Sequence, residues 1–140
     1  MAFVSSHTSR VSYDNAAASL TDLTAYVTNI SGVDLTRANL DTTSLSDAAF
    51  TYLLGLKGGN TITLSGNWDS TLHTHMTGVE ALTSGATQTL RYSPAGTGSG
   101  SPYLTVETLL TNYTFSSAVN GLVTWTATLQ TTGATSTGTH

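Results

Sequence analysis

Cysteine is absent from the 140 residues, which removes disulfide frameworks and thiolate metal sites together. Fixed cations are scarce: Arg10, Arg37, Lys57 and Arg91 are the whole set, and the net charge is −4. Tight nucleic-acid binding needs several phosphate contacts from such residues, so this balance argues against it. Charged residues of both signs amount to 9%, against roughly 25% in an ordinary soluble protein. A neutral, hydroxyl-rich surface suits a chain that buries much of itself in an assembly, or a secreted β-protein. Nothing approaches the ~20 apolar residues that cross a bilayer as a helix, so no membrane partner is expected. The opening MAFVSSHTSR has no basic stretch followed by an apolar one, so no Sec signal is expected. The expectation is one soluble domain, made inside the cell and long enough to bury a core without staples.

What is abundant is threonine and serine, set between apolar residues in alternation. The stretch Gly55–Gly85 is the most informative. Ile62, Leu64, Gly66 and Trp68 fall on one face of a strand, with Thr61, Thr63, Ser65 and Asn67 on the other. Asp69 or Ser70 can cap a following helix, because each carries an oxygen able to accept an orphan backbone N–H. Leu72, Met76, Val79 and Leu82 then recur on one helical face, and Gly85 is the expected stop.

Elsewhere the pattern is mostly of strands. Residues 1–19 read as an N-terminal arm, with a short alternation at His7–Tyr13. Leu20–Val33 reads as a turn followed by a strand from about Ala25, and Leu35–Thr43 continues extended. Residues 44–59, SLSDAAFTYLLGLKGG, concentrate apolar bulk in Phe50, Leu53, Leu54 and Leu56. Two readings stand for them: a helical turn capped by Ser46 or Asp47 and docked on the core, or a protruding loop that meets another subunit. Thr87–Tyr92 alternates again, and PAGTGSGSP at 94–102 reads as loop.

Tyr103–Ser116 reads as a long strand with Leu104, Val106 and Leu110 on one face. Tyr103, Thr105, Glu107, Leu109, Tyr113 and Phe115 take the other, which is apolar enough to need partial cover. Asn120–Gly121 is the clearest hairpin signal, and Val123, Trp125, Ala127 and Leu129 point inward on the return strand. Residues 131–140 read as a flexible C-terminal tail. The fold class expected is α+β: an antiparallel β-sandwich or barrel of about six to seven strands flanked by one main α-helix, over 1–140 as a single domain.

Chemistry is hard to find. His73 and His75 lie two apart, so on a helix they point about 200° away from each other and cannot share one ion. They read as solvated residues of the helix start, and no metal or other cofactor is expected. No nucleophile elbow is present, and GTGSGS at 96–101 has neither the lysine nor the following helix of a phosphate loop. Asp41 with Asp47, or Asp22 with Asp34, could meet in space, but nothing marks either pair as flanking a cleft. Sequons at Asn29–Ser31 and Asn112–Thr114 carry little weight without a secretion signal. Trp68 and Trp125, with Tyr103, Tyr113 and Phe115, could form a sugar platform, though both tryptophans sit on apolar strand faces that suit core packing. The chain is not expected to be an enzyme.

Three segments resemble the tail tube (major tail) proteins of long-tailed bacteriophages, particularly the small forms of actinobacterial siphophages. GLKGGNTITLSGNWDSTLHTHM at 55–76 is similar to that family's glycine-ended loop, strand, Trp-Asp and helix. NGLVTWTATLQTTGATS at 120–136 is similar to its closing hairpin, and LTDLTAYVTNISG at 20–32 to its opening element. The resemblance implies a structural virion protein: a β-sandwich flanked by a helix, six copies closing a ring, and rings stacking into a tail tube through which DNA passes without specific binding. The implied partners are the chain itself, a tail terminator, a tape measure and distal tail proteins, with assembly in the host cytoplasm and residence in the virion tail.

Under that resemblance the loop 44–59 and the arms 1–15 and 131–140 are candidates for contacts between rings. Phe50, Tyr52, Leu53, Leu54, Leu56, Tyr113 and Phe115 are the residues expected at subunit boundaries. Asp41 and Glu107, from strand phase, are the acidic candidates for the lumen. The alternatives are the tube subunit of a related injection machine, a tail terminator, or a carbohydrate-binding adhesin module.

Overall fold

Alternation of apolar and hydroxyl residues puts most of the chain in strands. The computed structural model describes residues 4–82 and 86–140. The strands are β1 (Arg10–Asp14), β2 (Leu20–Asp22), β3 (Asn29–Ser31), β4 (Arg37–Asp41), β5 (Tyr52–Lys57) and β6 (Thr61–Asn67), then β7 (Gln88–Ser93), β8 (Pro102–Ser116) and β9 (Thr124–Thr139). Helix α1 (Ser70–Glu80) lies between β6 and β7, and Thr24–Tyr26 forms a 3-10 turn. Seven strands share one antiparallel sheet in the order β2-β1-β7-β8-β9-β6-β3, and β4 with β5 makes a separate ribbon. The architecture is the expected α+β one.

The sheet cannot be flat. Seven strands spaced about 4.8 Å apart would hold the edges β2 and β3 roughly 29 Å from each other. Yet those edges are joined by residues 23–28 alone, part of which is coiled into the 3-10 turn. The sheet therefore curls until the link can stitch it: Leu23 N–H donates to Val11 O, and Thr28 N–H to Ser65 O. Trp125 adds its indole N–H to Tyr26 O at 2.9 Å. Gly66 makes this closure possible, since a Cβ there would stand 1.9 Å from the Tyr26 carbonyl oxygen. Curling also protects sheet edges that would otherwise be open to pairing.

The enclosed core takes Ile62 and Leu64 from β6, Trp125, Ala127 and Leu129 from β9, and Val11 and Tyr13 from β1. Leu90, Val106 and Leu23 complete its walls, and α1 supplies Leu72, Met76 and Val79. Asp69 caps α1, its carboxylate accepting Thr71 N–H at 2.8 Å. Three buried side chains contribute about 5–9 kcal/mol, whereas the cap is worth about 1 kcal/mol. Packing, not propensity, keeps an 11-residue helix with a glycine, Gly78, in its last turn in place. The expected stop at Gly85 lies outside the described residues.

Several expectations need correction. Residues 10–14 are not an arm: β1 runs between β2 and β7, with Val11, Tyr13 and Asp14 buried. Residues 131–139 are not a tail: they continue β9 and pair with β8 from Thr139↔Pro102 inward. His140 is fixed as well, its N–H donating to Ser101 O and its Nε2 lying 3.0 Å from Ser93 Oγ. Residues 52–57 form a strand, so the helical turn over 44–59 is absent. Finally, the register of β8 against β9 shifts between Leu110 and Asn112. That bulge reverses the face of every residue beyond it, and Tyr113 packs against the core instead of lying beside Glu107.

Candidate functional site

The ribbon β4–β5 is the most unusual surface. Leu40 pairs with Leu53 and Asp41 with Tyr52, while Arg37 stands directly opposite Lys57 at its root. The connecting loop is tied by its own polar groups: Thr42 N–H donates to Thr51 O, Thr51 N–H to Thr43 Oγ1, and Ser44 N–H to the Asp47 carboxylate. The Asp41 carboxylate accepts from Thr43 N–H at 2.9 Å, and these hydrogen bonds to Thr43 hold its pKa below the usual value. The root is fixed where Gly58, with φ +90°, lies so close to Gly133 that a Cβ would meet its carbonyl oxygen at 2.4 Å.

Both faces of this ribbon are open. Phe50, Tyr52, Leu53, Leu54 and Leu56 are between 53% and 87% exposed, and Leu40 is 51% exposed. A two-stranded ribbon in water is marginally stable by itself. These exposed apolar side chains are gathered on one ribbon, a feature that the fold of the single chain does not explain. Of the two readings of residues 44–59, the protruding one describes the geometry. Leu35 and Leu40 are also exposed; five residues apart in an extended segment, they fall on opposite faces and leave no period-two signal in the sequence.

A second surface lies at the far end of β8 and β9, beside the start of α1. Trp68, His73, Tyr113 and Phe115 form an aromatic cluster, with ring centroids 5.4 Å apart for Trp68–His73 and His73–Phe115. Trp68 Nε1–H donates to the Tyr113 hydroxyl at 3.1 Å, which leaves the phenolic proton to face His73 Nδ1 at 3.3 Å. Burial pushes the Tyr113 pKa up, partly offset by that indole hydrogen bond. Tyr113 is half-buried here and Phe115 is 54% exposed. The neighbouring turn exposes Val119 and Leu122.

His73 and His75 do point apart, but neither is simply solvated. His75 turns to β1, where its ring packs 5.9 Å from Tyr13 and Nε2–H donates to Asp14 O at 3.1 Å. Burial lowers its pKa, against weaker opposing effects of the Asp14 carbonyl and carboxylate. Among the described residues no three His, Asp or Glu side chains gather as a metal cluster. The five aromatics of a sugar platform do not share a surface: Trp125 is buried, and Tyr103 sits near the opposite end of β8 under Arg91.

The outward face of β6, β9, β8 and β7 is rich in hydroxyls, carrying Thr63, Ser65, Thr126, Thr128, Thr105 and Thr89, and it also bears Arg91, whose guanidinium lies beside the Thr105 hydroxyl and over the Tyr103 ring. Glu107 lies on this face, accepting from the hydroxyls of Thr87 and Thr89. Asp41 does not share it, since Asp41 belongs to the ribbon. The two acidic candidates are therefore on separate elements.

Neither a protein-family model nor a curated relative matches the sequence. Solved structures do match the fold. A chain of the sheath/tube terminator of the PVC extracellular contractile injection system superposes with a TM-score of 0.76 at 12% identity, over 99% of this chain and 98% of that one. The SPP1 tail tube gives 0.73 at 11% identity, over 99% and 80%. The tail of an empty gene transfer agent particle, refined with C6 symmetry, gives 0.71 at 14% identity, over 96% and 98%. These neighbours come from structural tube assemblies, and at such identities the likeness is one of fold: this chain has a tail-tube fold.

Proposed function

We propose that the chain is the structural subunit of a tail tube, six copies forming a ring and rings stacking into a conduit for DNA. The observation that carries this reading is the ribbon β4–β5. It is an apolar, two-faced projection from a tail-tube fold, and it gains stability only when another molecule covers it. Covering one ribbon patch with a different patch of the next copy is a heterologous contact, which propagates into closed rings or open filaments. The sixfold symmetry of the gene transfer agent tail supports the ring size. Phe50, Tyr52, Leu53, Leu54 and Leu56 take part in subunit contacts in this reading, as do Tyr113 and Phe115.

The hydroxyl-rich outer face of the long β8–β9 hairpin is the best candidate for the bore. Its threonines carry no charge, its one cation, Arg91, is held over the Tyr103 ring, and Glu107 repels phosphate. Cations there would bind the backbone by releasing counterions and impede its passage. Six copies at −4 carry −24 per ring, consistent with a wall that conducts without holding. Location in a virion tail, assembly in the host cytoplasm, and contacts with terminator, tape measure and distal tail proteins follow from the same reading. Kinship to the small tubes of actinobacterial siphophages is its narrowest form.

The likeness to the terminator assembly favours one second reading, a ring that ends a tube instead of extending it. Negative-stain microscopy of the purified protein separates the two. Hollow tubes of many rings support the tube subunit, isolated rings that never stack support the terminator, and strict monomers at high concentration sink both.

A further inference from the structure

The register of the ribbon shifts between the Asn39–Leu54 and Arg37–Lys57 pairs, with the extra residue on β5. The shift places Arg37 and Lys57 on the face opposite Leu40 and Leu53. Alternation puts Asp41 and Tyr52 on the face of the cations, with Asn39 and Leu54 between. The ribbon is therefore polarised along its length. Two of the chain's four fixed cations, Arg37 and Lys57, stand opposite each other at its root. Residues 38–56 hold no cation and two carboxylates, Asp41 at the outer end of β4 and Asp47 in the loop beyond.

The root borders an open groove of about 540 Å³, walled by Leu35, Arg37 and Lys57 on one side and by residues 134–137 of β9 on the other. Among the described residues no carboxylate lines it, and Asp34, nearest in sequence, is bonded to the Thr36 hydroxyl. Like charges directly opposite each other destabilise a strand pair, and this pair belongs to a ribbon that is marginal alone. The copy's own tip cannot relieve it. Asp41 lies about 13 Å from Arg37 along β4, beyond the reach of the two side chains.

We propose that this groove receives the acidic ribbon tip of a second copy of the chain, Asp41 and Asp47 meeting Arg37 and Lys57. Charge complementarity selects that occupant: a pair of cations lacking a carboxylate matches a pair of carboxylates lacking a cation. Both carboxylates are oriented by their loop, Asp41 accepting Thr43 N–H and Asp47 accepting Ser44 N–H, and each keeps acceptor capacity for a cation. Copies that each carry −4 repel one another unless contacts of this kind pair their charges. Tip and root are different patches, so each copy gives one and receives one, and the contact propagates. The proposal rests on the tube reading and adds which surface of the neighbour the ribbon engages.

Charge reversal provides the test. A root variant, Arg37→Glu with Lys57→Glu, and a tip variant, Asp41→Lys with Asp47→Lys, should each raise the concentration needed for assembly by about tenfold or more, because like charges then meet at every contact. Mixed in equal amounts they should form long multimers, since each supplies the charge the other has lost. Thermal melts of the unassembled variants should match wild type. If a reversal shifts the melt, Asp41→Asn with Asp47→Asn replaces it, keeping an acceptor for the Thr43 and Ser44 N–H groups. That variant should assemble less readily than wild type and with a weaker dependence on salt. Variants that assemble like wild type, or a mixture no better than its components, overturn the docking while the tube reading stands. A mixture that gives pairs and nothing longer overturns the propagating contact. A wild-type protein that never assembles removes the tube reading, and the docking with it.

Discussion

Leu54→Ala separates the stability of the chain from the stability of its assembly. Leu54 is 69% exposed on β5, opposite Asn39. In the free chain its truncation should cost no more than about 0.5 kcal/mol, as for other exposed positions. If a neighbour covers it, the change removes three buried carbons at about 0.8 kcal/mol each, discounted because a third of the residue is already covered. The resulting loss of about 1.6 kcal/mol per contact corresponds to roughly a 15-fold weaker association. Pelleting assays across a concentration series should show the critical concentration rising by about that factor. The melting temperature of unassembled protein should move by less than about 2 °C. An unchanged critical concentration would refute the interface. A melting temperature several degrees lower would refute the claim that the ribbon contributes little to the fold of a single chain.

Other predictions concern the fold that presents these surfaces. The Tyr13 hydroxyl is buried with no hydrogen-bond partner, the nearby Thr108 hydroxyl being committed to Gln88 O. Tyr13→Phe should therefore be neutral or stabilising by up to about 1 kcal/mol in urea melts; a loss above that would show the hydroxyl to be satisfied. Burial raises the Tyr13 pKa from 10.0 to about 12, so its contribution is intact below pH 10 and is lost as pH rises towards 12. Tyr13→Phe should remove that part of the alkaline destabilisation. His75 has its pKa lowered by burial from 6.5, so the unfolded chain binds the proton first and stability falls as pH drops below about 6.5. Comparing wild type with His75→Gln at pH 8 and pH 5 should show the larger acid loss in wild type, and parallel losses would contradict this. Gly66→Ala should destabilise by about 3 kcal/mol through overpacking, because its Cβ would displace the link that accepts from Trp125.

The elements legible in the sequence are those with one buried face. β6 and the first half of β9 alternate cleanly, and the stripe Leu72, Met76 and Val79 placed α1 because each faces the same core, whereas Leu82, expected as its fourth member, lies beyond the end of the helix. The ribbon was ambiguous for a physical reason. Leucines on both faces leave no period-two signal, and the segment resembles a short core helix until its partner strand is known. Residues 131–139 were unreadable because they pair through the backbone in a strand whose side chains are largely exposed threonine, glycine and serine. Tyr113 was assigned to the wrong face because TLLTNYTF does not announce the bulge after Leu110. The candidate contact residues were visible as exposed bulk without a local explanation.

A helical reconstruction of the assembled protein tests the central claim most directly. The account predicts stacked sixfold rings with residues 37–57 packed against a neighbouring copy, and the face bearing Glu107 turned to the bore. Rings held together with the ribbon left in solvent on both faces, or a protein that stays monomeric under every assembly condition, would contradict it.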